Sequence, residues 1–215
     1  MPETLIVNEI FYSIQGESTH AGLPCVFVRL TGCRLRCAWC DTTYAFTEGV
    51  AMSLDQIIAK IRVFDCPMVE ITGGEPLLQP NVFSLLTRLC ELGFTVLLET
   101  SGAEDVARVD SRVIKIMDLK CPSSGQADQN RFENLLHLAA RDEIKFVLAD
   151  RADYDWAKAR IAEHQIVGRC AILFSPVWGS LPLKTLAEWI LADRLPVRLQ
   201  TQWQKHIWGP HARGV

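Results

Sequence analysis

Two periodicities alternate along this chain. Short apolar runs rich in β-branched residues occupy 6–12, 25–30, 68–71, 95–98, 113–117, 144–148, 171–174 and 197–199, and each predicts a strand. Between many of them the apolar spacing turns helical. Ser53 stands as an N-cap before Leu54, Ile57, Ile58 and Ile61 on one face, and Asn81 precedes Val82, Leu85, Leu86 and Leu89. Stretches 130–138, 153–163 and 183–192 predict further helices. Alternating strand and helix implies βα units and a parallel sheet. A complete eight-unit barrel takes about 250 residues. Only about six units follow the first two strands, so a partial barrel fits the length, and a doubly wound sheet fits the pattern nearly as well. No Gly-x-Gly-x-x-Gly follows a strand, which weakens a dinucleotide-binding sheet.

Polar residues collect just past the strand ends. Thr-Gly-Cys follows Leu30, Thr-Gly-Gly-Glu-Pro follows Ile71, and Glu-Thr-Ser-Gly follows Leu98. Asp-Leu-Lys-Cys-Pro follows Met117, Ser-Pro follows Phe174, and Gln-Thr-Gln follows Leu199. Glycine and proline mark turns anywhere, which accounts for any one of these loops. Six loaded loops past carboxyl ends point to one site, because that edge is the active-site face of parallel α/β folds.

Composition narrows the class. With 215 residues, 49% hydrophobic and 22% charged, the chain reads as one globular domain over 1–215. A net charge of −3 argues against a broad basic surface, so neither nucleic acid nor an anionic membrane is an expected partner. Residues 1–8 carry no basic, apolar leader pattern, and no run approaches the roughly 20 apolar residues of a membrane span. A cytoplasmic location follows as the expectation. In a reducing compartment the eight cysteines read as metal ligands, redox groups or core filler before disulfides.

Cys33-Arg-Leu-Arg-Cys37-Ala-Trp-Cys40 is the strongest chemical signal. Three cysteines within eight residues can converge on one centre. A structural zinc site wants four closed ligands, and the nearest other cysteines, Cys25 and Cys66, lack zinc-knuckle spacing. A four-iron cluster is fully ligated by four cysteines, so three would leave one iron open to another molecule. The spacing favours the open cluster; a zinc-binding module and a redox thiol set remain as alternatives.

Cys-x3-Cys-x2-Cys with Trp39 before its last cysteine, followed by Gly73-Gly74-Glu75-Pro76, resembles the radical S-adenosylmethionine superfamily. That resemblance implies a partial (β/α)6 barrel of TIM-like type, a [4Fe–4S] cluster on Cys33, Cys37 and Cys40, and reductive cleavage of S-adenosylmethionine. Such a protein must position its cofactor and exclude side reactions. An activating enzyme for a glycyl radical would share these features. Glu9-Ile-Phe-Tyr-Ser-Ile-Gln-Gly-Glu17, Phe27-Val-Arg29-Leu-Thr-Gly-Cys33, Cys40-Asp41-Thr42 and Glu99-Thr-Ser-Gly102 narrow the resemblance, from residue 9 to about 208, to the 7-carboxy-7-deazaguanine synthase family. An activase would not need Gln15, Glu17 and Arg29.

The family resemblance implies conversion of 6-carboxy-5,6,7,8-tetrahydropterin to 7-carboxy-7-deazaguanine, a lyase reaction with loss of ammonia in queuosine and 7-deazapurine biosynthesis. It implies Mg2+ as second metal, held by Thr42, and a homodimer; a flavodoxin-type protein is the expected reductant. The substrate-binding segment runs from about 9 to 30 and the cluster loop from 33 to 42. Ile14, Gln15, Gly16 and Glu17 would face the pterin's amide-like edge, which Gln and Glu complement. Arg29, inside an apolar run, needs an anion: the substrate carboxylate, or a strand neighbour such as Glu70 or Glu99. Thr100 and Gln202 complete the substrate set. Trp39, Asp41, Gly74, Glu75, Gly102, Lys120, Lys145 and Ser175 form the S-adenosylmethionine set, with Glu75 expected on the methionine ammonium. Two departures stand out. Ser18 replaces a frequent glycine, and Gln204 replaces the histidine of a Gln-Thr-His-Lys-Tyr-like segment.

Overall fold

The computed structural model describes residues 3–215. Nine strands form one sheet: β1 (Thr4–Ile14), β2 (Pro24–Leu30), β3 (Val50–Ser53), β4 (Met68–Gly73), β5 (Thr95–Thr100), β6 (Ile114–Leu119), β7 (Glu143–Leu148), β8 (Ala171–Pro176) and β9 (Arg198–Leu199). Their spatial order is β3-β1-β2-β4-β5-β6-β7-β8-β9. β1 runs antiparallel to β2 and β3; from β2 to β9 all pairings are parallel.

This order decides between the two architectures that the pattern left open. A doubly wound sheet reverses its strand order at a switch point. Here each parallel strand lies beside its successor, so right-handed crossovers keep the helices on one face and leave the other free. The result is a partial barrel with six crossovers. Four carry an α-helix: α1 (Leu54–Arg62), α2 (Val82–Glu91), α3 (Arg151–Glu163) and α4 (Leu183–Asp193).

Strand alternation sorts the two faces. Val28, Ile71, Leu98, Phe146 and Phe174 point at the helices. There they join one cluster with Ile57, Ile61, Leu85 and Leu86 and a second with Tyr154, Ala157, Leu186 and Ile190. Residues of the other parity, among them Arg29, Glu70, Glu99, Asp118 and Lys145, line a cavity.

Local chemistry sets the helix ends. Ser53 and Gln56 form a reciprocal capping box at α1, as the sequence suggests. α3 begins earlier than expected, because Asp150 caps it by accepting from the Asp153 N–H at 3.0 Å. The helix expected over 130–138 does not form. Residues Phe132–His137 wind as a 3-10 helix instead. The Asn134 amide there bonds the Gly102 and Glu104 carbonyls and accepts from the Val106 N–H, tying this crossover to the loop after β5. Two elements lie outside the expected set: β3, and a short C-terminal helix, α5 (Trp203–Trp208). Strands β4, β5 and β6 also run two residues past their expected ends, which fixes the side-chain directions of Glu99 and Asp118.

Burial predicts a sharp contrast between two leucines. Leu86 is 0% exposed and Leu136 is 79% exposed. Leu86→Ala is expected to cost about 2–5 kcal/mol in urea denaturation. Leu136→Ala is expected to stay within about 0.5 kcal/mol of the parent.

Candidate active site

A cavity of about 710 Å³ opens at the carboxyl ends of the strands. Its wall joins the inner face of β1, β2 and β4 to β7, the loop after β2, and the C-terminal segment. The loop after β2 carries Cys33, Cys37 and Cys40. All three are free, half-buried thiols that line the cavity. Burial pushes each thiol up, and the nearby Lys120 ammonium opposes that shift in all three. The Arg36 guanidinium braces the loop, donating to the Cys33 and Leu35 carbonyls at 2.8 and 2.7 Å over the Phe46 ring.

The donor set fits an open iron–sulfur cluster. Thiolate is the soft ligand such clusters take. Among the described residues no three His, Cys, Asp or Glu side chains stand gathered as a ready metal cage. Among the described residues a fourth cysteine is also lacking nearby. Cys25 and Cys66 sit at the amino ends of β2 and β4, about 20 Å away along a strand. Cys121, at the end of β6, is fully buried in the hydrophobic core beneath α3.

Gly73 and Gly74 are needed for backbone packing. A Cβ on Gly73 would lie 2.2 Å from the Leu30 carbonyl oxygen, and one on Gly74 would lie 2.3 Å from that of Gly32. The contact is hydrogen-bonded: the Gly74 N–H donates to Leu30 at 3.1 Å and the Glu75 N–H to Gly32 at 2.7 Å. The Gly-Gly-Glu-Pro turn therefore buttresses the cysteine loop from behind. Glu75, expected on the methionine ammonium, stands behind the cavity wall. Its carboxylate is 2% exposed, lies outside the cavity wall, and accepts from the Thr100 and Ser101 hydroxyls and the Ser101 and Leu77 N–H groups. Burial raises its carboxyl pKa even so. As placed, it ties the loops after β4 and β5 together.

The opposite end of the cavity is polar. The Glu17 carboxylate meets Lys145 at 2.9 Å and accepts from the Gln202 amide at 2.8 Å and from Gln200 and Gln204 at 3.2 Å. Burial would raise its pKa, but Lys145 and Gln202 outweigh burial and hold it below the usual range. Gln15 donates to Glu70 and accepts from the Glu17 N–H at 3.0 Å. Ser18 takes a left-handed φ of 65°, which explains why glycine suits that position, and its N–H donates to Gln200 at 3.0 Å. Lys145, expected on S-adenosylmethionine, lines the cavity and pairs with Glu17, Glu99 and, at 3.9 Å, Asp118.

Arg29 lines the cavity, but its protein partner is Glu9 at 2.7 Å, neither Glu70 nor Glu99. β1 supplies that partner because Glu9 and Arg29 are register neighbours. Tyr44 donates to the same Glu9 oxygen, 3.0 Å away.

Most expected site residues meet here. The cysteines, Trp39, Asp41, Thr42, Gly74 and Lys120 line one end; Ile14, Gln15, Gly16, Glu17, Arg29, Thr100, Lys145 and Gln202 line the rest. Glu75, Gly102 and Ser175 do not. The Gly102 carbonyl is held by Arg131 and Asn134, and Ser175 is buried within β8. Sequence reasoning missed Glu70, Glu99 and Asp118 as wall residues. Their signal was a charge directly after the apolar run of β5 or β6, or, for Glu70, inside that of β4. It also missed Gln204 and Lys205 on α5. Lys205 pairs with Asp41 at 2.6 Å; burial would raise the Asp41 carboxyl, and this ammonium holds it down.

Residues 27–121 match the family model described as Radical SAM superfamily. The 7-carboxy-7-deazaguanine synthase of Chlorobaculum tepidum is 55% identical over 214 residues, covering 98% of this chain and 97% of the relative. That of Koribacter versatilis is 44% identical, covering 97% and 99%. The crystal structure of QueE from Escherichia coli aligns with a TM-score of 0.76 at 26% identity, covering 93% of this chain and 94% of that one. Fold, thiol loop and family model define a radical S-adenosylmethionine enzyme, a class that implies a [4Fe–4S] cluster and S-adenosylmethionine. The chain belongs to the 7-carboxy-7-deazaguanine synthase family.

The glycine contact gives a direct test of the buttress. Gly74→Ala is expected to displace the cysteine loop, costing about 1–3 kcal/mol and lowering the iron retained per chain. Iron analysis after anaerobic reconstitution, beside a urea melt, measures both.

Proposed function

We propose that this chain converts 6-carboxy-5,6,7,8-tetrahydropterin to 7-carboxy-7-deazaguanine, releasing ammonia. The observation that carries this reading is the meeting, in one cavity, of three thiols with Gln15, Glu17 and Arg29. Cys33, Cys37 and Cys40 would hold the cluster, which with S-adenosylmethionine would supply the one-electron chemistry that takes hydrogen from the substrate. Trp39, Asp41, Gly74 and Lys120 are the wall residues beside the thiols and hold the cofactor. Glu75 and Gly102 act behind that wall by fixing its loops.

The residues at the polar end orient the substrate. Glu17 is ionised and accepts from the N–H groups of the pterin's amide-like edge, while Gln15 offers both a donor and an acceptor. Arg29 takes the substrate carboxylate, a pairing its planar fork suits. Thr100 and Gln202 border the same space. The Thr42 hydroxyl would hold Mg2+, a hard cation that takes oxygen ligands. The reading extends to a homodimer, a flavodoxin-type electron donor and a cytoplasmic setting. Among the described residues no helix is long and apolar enough to cross a membrane.

Anaerobic purification is expected to yield a brown protein with about four irons per chain. With reductant, S-adenosylmethionine and 6-carboxytetrahydropterin it is expected to form 5′-deoxyadenosine and 7-carboxy-7-deazaguanine together. A colourless, zinc-loaded protein would overturn the radical reading. 5′-Deoxyadenosine without a deazaguanine product would overturn the substrate.

Arg29→Ala separates binding from chemistry. Losing a charge-assisted pair is expected to raise the KM for the pterin about 10- to 100-fold. Cleavage of S-adenosylmethionine at saturating substrate should change little. Equal loss of both would count against the carboxylate role.

A further inference from the structure

Five charged side chains meet on the inner face of the sheet. Lys145 of β7 stands among Glu17, Glu99 of β5 and Asp118 of β6, and Glu70 of β4 joins through Gln15. Fixed donors or burial close three of the four carboxylates. Glu17 accepts from Lys145 and three glutamine amides. Asp118 accepts from Lys120 at 2.8 Å through one oxygen; its Oδ1 has no partner among the described residues but is buried, out of a ligand's reach. Glu70 accepts from Gln15 and is 5% exposed.

Glu99 differs. Lys145 contacts its Oε1 only, and among the described residues its Oε2 has no hydrogen-bond donor. Its side chain is 22% exposed, more than Glu17 at 17% or Asp118 at 11%, and it lines the cavity. Among the clustered carboxylates it has the most open face toward a bound molecule. Its ionisation is also poised. Burial, with Glu17 and Asp118 adding to it, outweighs Lys145 and pushes the carboxyl up to about 7. Burial and the neighbouring Glu99 drive Glu70 well above the usual range, whereas Glu17 is held below it. Glu17 is thus biased toward the anion and Glu70 toward the acid, while Glu99 can be either near neutral pH. Carboxyls pushed apart in this way sort into acid–base roles.

The reaction proposed above needs such a group. Substrate and product differ by ammonia, so the closing step breaks one ring C–H bond and one C–N bond without net oxidation. We propose that Glu99 is the acid–base residue of this ammonia-releasing step, positioned by Lys145; the proposal rests on that assigned reaction. The Glu99 carboxylate takes the proton from the ring carbon, and the C–H electron pair becomes the new ring double bond. The C–N bond breaks, and its electron pair leaves with the amine nitrogen. Glu99 returns its proton to that nitrogen, which departs as ammonia. Glu99 ends as the carboxylate that began the step. Lys145 stays charged throughout, because Glu17 and Glu99 outweigh its burial.

The test compares product with 5′-deoxyadenosine in one assay. Glu99→Gln is expected to keep its brown colour and to cleave S-adenosylmethionine within about threefold of the parent, while deazaguanine formation falls about 10²- to 10⁴-fold. Glu99→Asp should recover part of that loss. Product formation by the parent should rise with pH through about 7, as Glu99 loses its proton, and this inflection should vanish from the residual rate of Glu99→Gln. In Lys145→Gln the inflection should move upward, because Lys145 is the group that lowers it. A Glu99→Gln enzyme with the parent's product ratio and pH profile would overturn the proposal. So would parallel loss of cleavage and product with no recovery in Glu99→Asp. A parent enzyme that cleaves S-adenosylmethionine but makes no deazaguanine would instead remove the reaction on which the proposal stands.

Discussion

The buried Lys145 ammonium is the contact on which the polar half of this site depends. It joins Glu17 from the loop after β1, Glu99 from β5 and Asp118 from β6. Burying one charge is costly, and burying several pays only when each finds an opposite partner. Lys145 and Lys120 do not match four carboxylates one for one. The excess is met by protonation, which is why Glu70 and Glu99 titrate high while Glu17 stays ionised. The sign for stability follows. An unfolded glutamate loses its proton near 4.5 and folded Glu99 near 7, so folding takes up a proton between these values. This group favours the fold at the acid end of that window and opposes it as pH climbs through 7. Glu17 works in reverse: its contribution is present above the unfolded value and is lost on acidification.

The two ends of the cavity are built differently, and the difference suits their chemistry. The thiol end is set by backbone. Gly73 and Gly74 let the turn after β4 lie against Leu30 and Gly32, so the cysteine loop rests on main-chain hydrogen bonds. The substrate end is set by side chains. Glu70 holds Gln15, Lys145 holds Glu17, Gln200 holds the Ser18 N–H, and Glu143 accepts from Thr19. A single-wound sheet makes both possible, since its helix-free face is left to polar residues.

α5 and the residues after it close the arrangement from the side. Lys205 ties α5 to Asp41 in the cysteine loop, and Gln202 and Gln204 reach Glu17. Gly16 is small because Gln204 lies against it; a Cβ there would fall 1.7 Å from the Gln204 amide oxygen. Gln204 thus donates to Glu17 and lies against a glycine in the substrate loop.

The amino-acid sequence by itself determined the periodic elements, the strand-end location of the site and the three-cysteine spacing. These are local properties: a repeat of two or of 3.6 residues, a cap, or ligands within one loop are all set by neighbours in the chain. Only the tertiary structure decided what required distant residues to meet. It gave Arg29 to Glu9 through the β1–β2 register, and Glu75 to Thr100 and Ser101. It replaced the helix at 130–138 with a 3-10 turn, because Asn134 found carbonyls some 30 residues away. Above all it turned Glu70, Glu99, Asp118 and Lys145, isolated polar letters in four apolar strands, into one charged wall. The parity of Glu70 and Lys145 was readable within their expected strands, whereas that of Glu99 and Asp118 came from β5 and β6 running on. Their adjacency depended on strand order and register, which arise from packing across the whole sheet.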